Sequence, residues 1–164
     1  MALSQTAALW FLPFVLPLCY YVAFTDLREM RITNQAVIAL AVVYLVVGPF
    51  VLPLPDYGMG VIRMAVMLVI GILLNAGGAM GAGDAKFIAA AAGFIAPPDM
   101  LVVIMILCAS TLAAFTTHRL AKHTGLRQIA PHWKSWSTGQ KFPMGLCLGA
   151  TLALYLILAA LLGQ

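Results

Sequence analysis

The stretch Gly81-Ala82-Gly83-Asp84-Ala85-Lys86 is a short charged turn between two runs of apolar residues. The chain has only five acidic residues among its 164, and an ionisable group near a bilayer interior is a functional candidate because its desolvation is costly. Asp84 is therefore the first candidate site residue. A second one, Asp26, ends an earlier apolar run, so two aspartates at the ends of two membrane helices could form an acid/base pair.

The composition predicts an all-α, polytopic membrane protein. Hydrophobic residues make up 63% of the chain and charged residues 9%, whereas soluble domains have about 25% charged residues. Each membrane span needs about 20 apolar residues, so residues 1–164 are predicted to form a single integral-membrane domain. The net charge of +4 comes from basic residues in short loops, where membrane orientation explains them better than nucleic-acid binding does.

Six apolar runs are predicted as transmembrane helices, at about residues 6–24, 36–52, 59–76, 85–96, 100–117 and 143–162. Asn34 is the expected N-cap of the second. The fourth run covers only about 18 Å at 1.5 Å per residue, too little to cross about 30 Å of hydrocarbon. Three explanations stay open: Asp84 is recessed below the membrane surface, the helix starts earlier, or the bilayer is thinner there.

The distribution of charge predicts the orientation. With six spans, the loops after spans one, three and five lie on one side and contain every Lys and Arg except Arg63. The positive-inside rule makes this side cytoplasmic and places both termini outside. Asp26 and Asp84 then lie together at the cytoplasmic edge. The one long polar segment, residues 118–142, is expected to lie along the membrane surface.

Two neighbouring carboxyl groups can hydrolyse a peptide bond without a nucleophilic side chain. One carboxylate takes a proton from water while a carboxylic acid donates one to the substrate, and repulsion between the two lets them share a proton. Gly81 and Gly83 would let the backbone approach a substrate or a neighbouring helix closely, or would simply start a helix. Lys86 would tune Asp84 or anchor lipid headgroups. Each aspartate, taken alone, could equally be a helix cap or an ion-pair partner.

No cofactor or metal site is predicted. The three histidines, His118, His123 and His132, are widely spaced in a basic loop without a partnering carboxylate, which does not match the usual ligand spacing of a metal site. The three cysteines all lie within apolar runs without a Cys-x-x-Cys pair, so they are predicted to be buried structural thiols.

The sequence resembles the prepilin peptidases, which are the Gly-x-Gly-Asp class of intramembrane aspartic proteases, and among them the short forms that serve Flp-type (Tad) pili. The strongest match is Gly81 to Lys86, where the family shows Gly-x-Gly-Asp-x-Lys. Asp26 to Asn34 matches a second motif, with Thr33 in place of the usual Pro, a change expected to loosen the turn into the second span. Phe142-Pro143-Met144-Gly145 resembles the Pro-x-Gly that opens the family's last helix. The resemblance extends over about residues 6–162.

The resemblance implies a membrane-embedded aspartic endopeptidase of the bacterial inner membrane, acting in pilus biogenesis and secretion. Its partners would be membrane lipid and prepilins or pseudopilins, whose short basic leader it would remove at the cytoplasmic face. Asp26 and Asp84 would be the catalytic pair, Gly81 and Gly83 would shape the site, and Lys86 would tune it. The chain lacks the family's cytoplasmic insert with paired cysteines, so no methyltransferase activity and no S-adenosylmethionine are expected.

Two other functions remain open at this point. A small proton-coupled transporter or channel could use the same carboxylates to relay protons or bind a cation. The inverted repeats or paired broken helices expected of a transporter are not visible in the sequence. A purely structural subunit of an assembly would need neither aspartate.

Overall fold

The computed structural model describes residues 1–124, 132–136 and 142–163, and this part of the chain is helical without any β-strand. The all-α prediction is therefore confirmed. The helices are α1 (Gln5–Glu29), α2 (Asn34–Val51), α3 (Leu54–Ala76), α4 (Ala82–Ala91), α5 (Met100–His123) and α6 (Met144–Leu162). Single 3-10 turns are formed by Pro97–Asp99 and Lys134–Trp136.

Five of these helices, α1, α2, α3, α5 and α6, are long and apolar enough to cross a membrane. The protein is therefore a multi-pass membrane protein. The fourth predicted span is α4, a helix of 10 residues, which rises only about 15 Å. Five of the six predicted spans thus have the length and composition of a membrane helix, and the fourth is too short to cross alone.

Helices α1 and α6 pack antiparallel and form the centre of the bundle. Asp26 in the last turns of α1 contacts Gly145 in the first turn of α6, and at the other end Gln5 donates a hydrogen bond to the Ala160 carbonyl. In the most apolar stretch of α6, 56% of the residues are buried within the protein, against 11% for α3 and for the α5 segment. Helices α3 and α5 are therefore peripheral and present apolar side chains to lipid.

The short helix α4 runs antiparallel to α3. A Cβ atom added at Gly71 of α3 would lie 3.0 Å from the Cβ of Ala85, so a glycine is needed where the two helices meet. Near the other end of α4, Arg63 donates hydrogen bonds to the carbonyl oxygens of Ala92 and Gly93. Because α3 continues past Gly71 to Ala76, and Gly71 faces Ala85, the start of α4 at Ala82 lies about 3 Å behind the end of α3. Asp84, two residues further along α4, is recessed relative to the end of α3 by about 6 Å.

Several predicted helix ends differ from the structure. Helix α1 continues to Glu29, so Asp26 lies inside the helix rather than after it. Helix α4 starts earlier than predicted, at Ala82, and ends at Ala91 instead of continuing to Pro97. Gly93, just after this end, is closely packed against other helices: a Cβ there would lie 2.8 Å from the Met64 sulfur and 3.0 Å from the Tyr44 ring.

The predicted N-cap of α2 is wrong by one residue. The Thr33 hydroxyl accepts a hydrogen bond from the Ala36 N–H at 3.3 Å, which makes Thr33 the N-cap, since a threonine hydroxyl satisfies the first free donors of a helix as an asparagine amide does. Thr33 was expected to loosen the turn before α2, and in the structure its hydroxyl caps the start of this helix. The Asn34 side chain is left available for a partner on another helix.

The prediction of three buried thiols holds for two of them. Cys19 and Cys147 are buried, whereas Cys108 is exposed on α5. Helix α5 is peripheral, so an apolar sequence around a cysteine does not place that cysteine in the protein interior: in a membrane protein the lipid-facing surface is apolar too.

Asp99 is a buried carboxyl group that connects three segments at the end of the bundle opposite Asp26. Asp99 is 5% exposed and accepts hydrogen bonds from the backbone N–H groups of Ala2 and Leu3 and from the Tyr155 hydroxyl. These bonds attach the segment before α1 to α6 and to the 3-10 turn before α5. Asp99 therefore has a structural role at the end away from Asp26.

We expect Asp99→Ala to lower the free energy of unfolding by about 3 kcal/mol, because it leaves buried donors without their acceptor. Thermal unfolding in detergent micelles measures this loss. Asp56, an exposed aspartate near the same end, is the matched control, and Asp56→Ala should change stability by less than about 0.5 kcal/mol. Equal stability of the two variants would contradict the structural role of Asp99.

Candidate active site

Asp26 is held by the first turn of α6. Its Oδ2 atom accepts a hydrogen bond from the Gly145 N–H at 2.6 Å, and the residue is 6% exposed. The first N–H groups of a helix have no partner within the helix, so the start of α6 can donate to a carboxylate from α1. The antiparallel packing of α1 and α6 thereby fixes the position of the Asp26 carboxyl group.

Only glycine permits this contact at position 145. A Cβ atom added there would lie 2.9 Å from Asp26 Oδ2 and 3.0 Å from both its Cβ and its Cγ. Gly145 was quoted above as part of the Pro-x-Gly motif but was not among the predicted site residues. The sequence signal that could have identified it is the glycine in the first turn of the last helix.

Asp84 is the third residue of α4, and its carboxyl group bends back over the start of this helix. A Cβ atom added at Gly81, the N-cap residue, would lie 2.7 Å from Asp84 Oδ2, so Gly81 leaves the space that the carboxylate occupies. A negative charge in the first turn of a helix is stabilised by the helix dipole.

Two contacts bring the Asp84 turn against the segment that follows Asp26. A Cβ atom added at Gly83 would lie 3.1 Å from the Cβ of Ile32, so the absence of a side chain at Gly83 permits a close approach of the two segments. Beside it, the Lys86 ammonium group donates a hydrogen bond to the Asn34 side chain at 3.0 Å. The two motifs are thus joined directly, although they are about fifty residues apart in the chain.

Lys86 contacts Asn34 rather than Asp84. In the described part of the chain, no ion pair links Lys86 to Asp84, and the Lys86 side chain is exposed. Its observed contact attaches α4 to the start of α2. The electrostatic tuning of Asp84 by Lys86 stays a prediction.

Asp26 and Asp84 lie at the same end of the bundle, because the Asp84 turn packs against the segment that follows Asp26. Repulsion between two partly desolvated carboxyls is the condition under which a pair holds one proton. The structure therefore brings together the two residues that the sequence analysis singled out, at one end of the bundle.

Aromatic residues from the segment before α6 cover this end of α1. Trp133 packs edge-on against Phe24 with ring centroids 6.1 Å apart, and it stacks on Trp136 at 5.9 Å. Trp136 in turn stacks on His118 of α5 at 4.7 Å. The two tryptophans thus contact the ends of α1 and α5. They belong to residues 118–142, the segment expected to lie along the membrane surface; residues 125–131 and 137–141 of this segment lie outside the described part of the chain.

No group of three or more His, Cys, Asp or Glu residues is arranged as a metal site within residues 1–124, 132–136 and 142–163.

The fold and the site together define a class: multi-pass helical membrane proteins with two aspartates at one end of the bundle. The sequence profile of the type IV leader peptidase family matches residues 13–117, and the chain belongs to this family. The matched region contains Asp26 and the Gly81 to Lys86 turn but ends before Gly145. No curated protein and no solved structure matches the chain significantly. Family membership indicates a protease of the aspartic type, in agreement with the resemblance described above.

Proposed function

We propose that the protein is a membrane-embedded aspartic endopeptidase that removes the short basic leader from type IV (Flp-type) prepilins and prepilin-like proteins. Family membership supports the leader-peptidase activity. The observation that carries the catalytic assignment is that the Asp84 turn packs against the segment that follows Asp26, through the close approach of Gly83 to Ile32 and the hydrogen bond from Lys86 to Asn34.

In the proposed reaction the two aspartates act as one unit that carries a single proton. The ionised carboxylate takes a proton from a water molecule, whose oxygen forms a bond to the carbonyl carbon of the scissile peptide. The protonated carboxyl gives its proton to the carbonyl oxygen. The tetrahedral intermediate then collapses and the carbon–nitrogen bond breaks. The leaving amine takes the proton that the first carboxylate removed from water, and the second carboxylate takes a hydroxyl proton from the intermediate, which restores the singly protonated pair. Gly81 and Gly83 shape the turn that holds Asp84.

The proposed location is the bacterial inner membrane, with the site at its cytoplasmic side. Every Lys and Arg except Arg63 lies in the loops assigned to this side or in the helix ends next to them, and the positive-inside rule makes this side cytoplasmic. The short helix α4 would be the sixth crossing, and both termini would lie outside. A basic leader would then stay in the cytoplasm while the apolar stem of the substrate lies in the bilayer, with the bond to be cleaved between them.

The decisive experiment incubates the purified protein, in detergent and in liposomes, with a prepilin that carries a basic leader. We expect mass spectrometry to show one cut between the leader and the apolar stem, with an unmethylated new N-terminus even when S-adenosylmethionine is added. The same liposomes are tested for proton and cation flux. Flux without any cleavage would contradict the proposal and favour the transport function.

A further inference from the structure

An apolar cavity of about 340 Å³ lies between α3, α4, α5 and α6. We name it the Asp84-side groove. Its lining includes Val66 of α3, Phe87, Ile88 and Ala91 of α4, Ile104 of α5 and Leu148 of α6. Phe87 and Leu148 are buried and form its floor, whereas Val66 and Ile104 are about half exposed and form its rim.

The groove lies on the face of α4 that carries Asp84. Phe87, Ile88 and Ala91 follow Asp84 at three, four and seven residues, and residues at these spacings lie above one another on one face of a helix. Asp84 therefore lies one turn before the α4 residues that line the groove, on the same face of the helix.

Asp26 stands at the same end. Gly145 of α6 holds the Asp26 carboxyl group. The α6 residues that line the groove are Leu148, Thr151, Leu152 and Tyr155, and three of them follow Gly145 at three, seven and ten residues, along one stripe of α6. Neither aspartate is among the lining residues, but these spacings place both beyond the same end of the groove, which extends along α4 toward the Asp99 end of the bundle.

A second cavity provides an internal comparison. It measures about 560 Å³ and lies between α2, α3 and α4; its lining includes Lys86, Ala89 and Ala90 of α4 and Leu68 of α3. We name it the Lys86-side groove. Lys86, Ala89 and Ala90 follow Asp84 at two, five and six residues, which places them on the opposite face of α4. This groove is larger, but neither aspartate stands at its end.

We infer that the Asp84-side groove binds the apolar stem of the substrate, the helix that follows the cleaved bond. The inference rests on the proposed function, since a bond cleaved by Asp26 and Asp84 leaves the stem at the end of this groove. The lining is almost entirely apolar, as a segment inside a bilayer requires, and the small residues Ala91 and Ala92 allow a close approach of another helix. The groove's size suits one face of a helix rather than a whole one.

Arg63, the one charged residue that lines the Asp84-side groove, does not hinder binding of the apolar stem. Arg63 already donates to the carbonyl oxygens of Ala92 and Gly93, which lie beyond the end of α4 and have no helical partner of their own. Its charge is thus engaged near the end of the groove away from the aspartates. The first turns of the stem would contact only apolar side chains of α3, α4, α5 and α6.

The test compares two variants of α3 that differ only in the groove they fill. Val66→Trp places an indole in the Asp84-side groove, and Leu68→Trp places one in the Lys86-side groove; the two native side chains are 50% and 41% exposed. We expect Val66→Trp to lower kcat/KM for prepilin cleavage about tenfold, mainly through a higher KM, because it displaces apolar contacts of the stem. Leu68→Trp should stay within about twofold of the unaltered protein.

A second measurement does not depend on activity. A photoreactive benzophenone side chain is introduced at position 66 or at position 68 of the Asp84→Asn protein, which is mixed with uncleaved prepilin in liposomes. Position 66 should cross-link to the stem of the substrate, and position 68 to lipid. Lipid cross-links alone from position 66, or stem cross-links from position 68 only, would overturn the groove assignment.

The two proposals fail in different ways. If the unaltered protein does not cleave any prepilin, the proposed function is wrong and the groove assignment falls with it. If the unaltered protein cleaves and Val66→Trp cleaves as well as Leu68→Trp does, only the groove assignment is wrong.

Discussion

Asp26→Asn and Asp84→Asn are each expected to lower the rate of leader cleavage by about a thousandfold or more, since the amide that replaces the carboxyl can neither take nor donate the proton of the reaction. The substitution nearly preserves the shape of the side chain. In the Asp26→Asn variant, the amide oxygen can still accept the hydrogen bond that Gly145 donates to the native carboxylate. Both variants should therefore insert and unfold like the unaltered protein.

Single-turnover cleavage in detergent, with unfolding temperature measured in parallel, tests this expectation. Asp56→Asn is the matched control, because Asp56 is an exposed aspartate in the first turn of α3 and belongs to the opposite end of the bundle. It should cleave normally. Near-normal cleavage by either Asp26→Asn or Asp84→Asn would remove the residue concerned from the catalytic pair.

Gly145→Ala is expected to lower cleavage by about a hundredfold, because a displacement of a catalytic group by about 1 Å costs a factor of this size. The added methyl group would lie 2.9 Å from Asp26 Oδ2. Either the carboxyl group or the start of α6 has to move, and the 2.6 Å hydrogen bond between them is then lost. The loss should appear mainly in kcat, since the aspartate itself is retained.

The control for this prediction is Gly58→Ala, a glycine within α3 where an added Cβ would have no neighbour within 4 Å. It should be neutral or slightly stabilising, because alanine favours a helix over glycine. Unimpaired cleavage by Gly145→Ala would show that the contact between α6 and Asp26 does not position the carboxyl for the reaction.

The local sequence predicted both aspartates, and the reason is that each belongs to a recognisable short pattern. Asp84 lies in Gly-x-Gly-Asp-x-Lys, and Asp26 opens the motif that continues to Asn34. Charge in a largely apolar chain marks such residues because its burial is costly. No comparable short pattern linked Gly145 to Asp26, which is 119 residues away in the chain. A glycine at the start of an apolar helix can be there for many reasons other than contact with a catalytic residue.

The capping role predicted for Asn34 was wrong for the same physical reason. The Thr33 hydroxyl caps α2, and the Asn34 side chain instead accepts a hydrogen bond from Lys86, whose tuning of Asp84 stays a prediction. A hydrogen bond between two side chains far apart in sequence depends on the packing of α4 against α2, which no local pattern encodes.

The sequence by itself determined the helical membrane class, most of the spans and the two candidate catalytic aspartates, because hydrophobic length and scarce charge are local properties of a chain. Only the tertiary structure decided where α4 ends, that Gly145 holds Asp26, and that both aspartates stand at one end of a single groove. These features depend on contacts between helices distant in sequence, and such contacts follow from the shape and packing of the whole bundle.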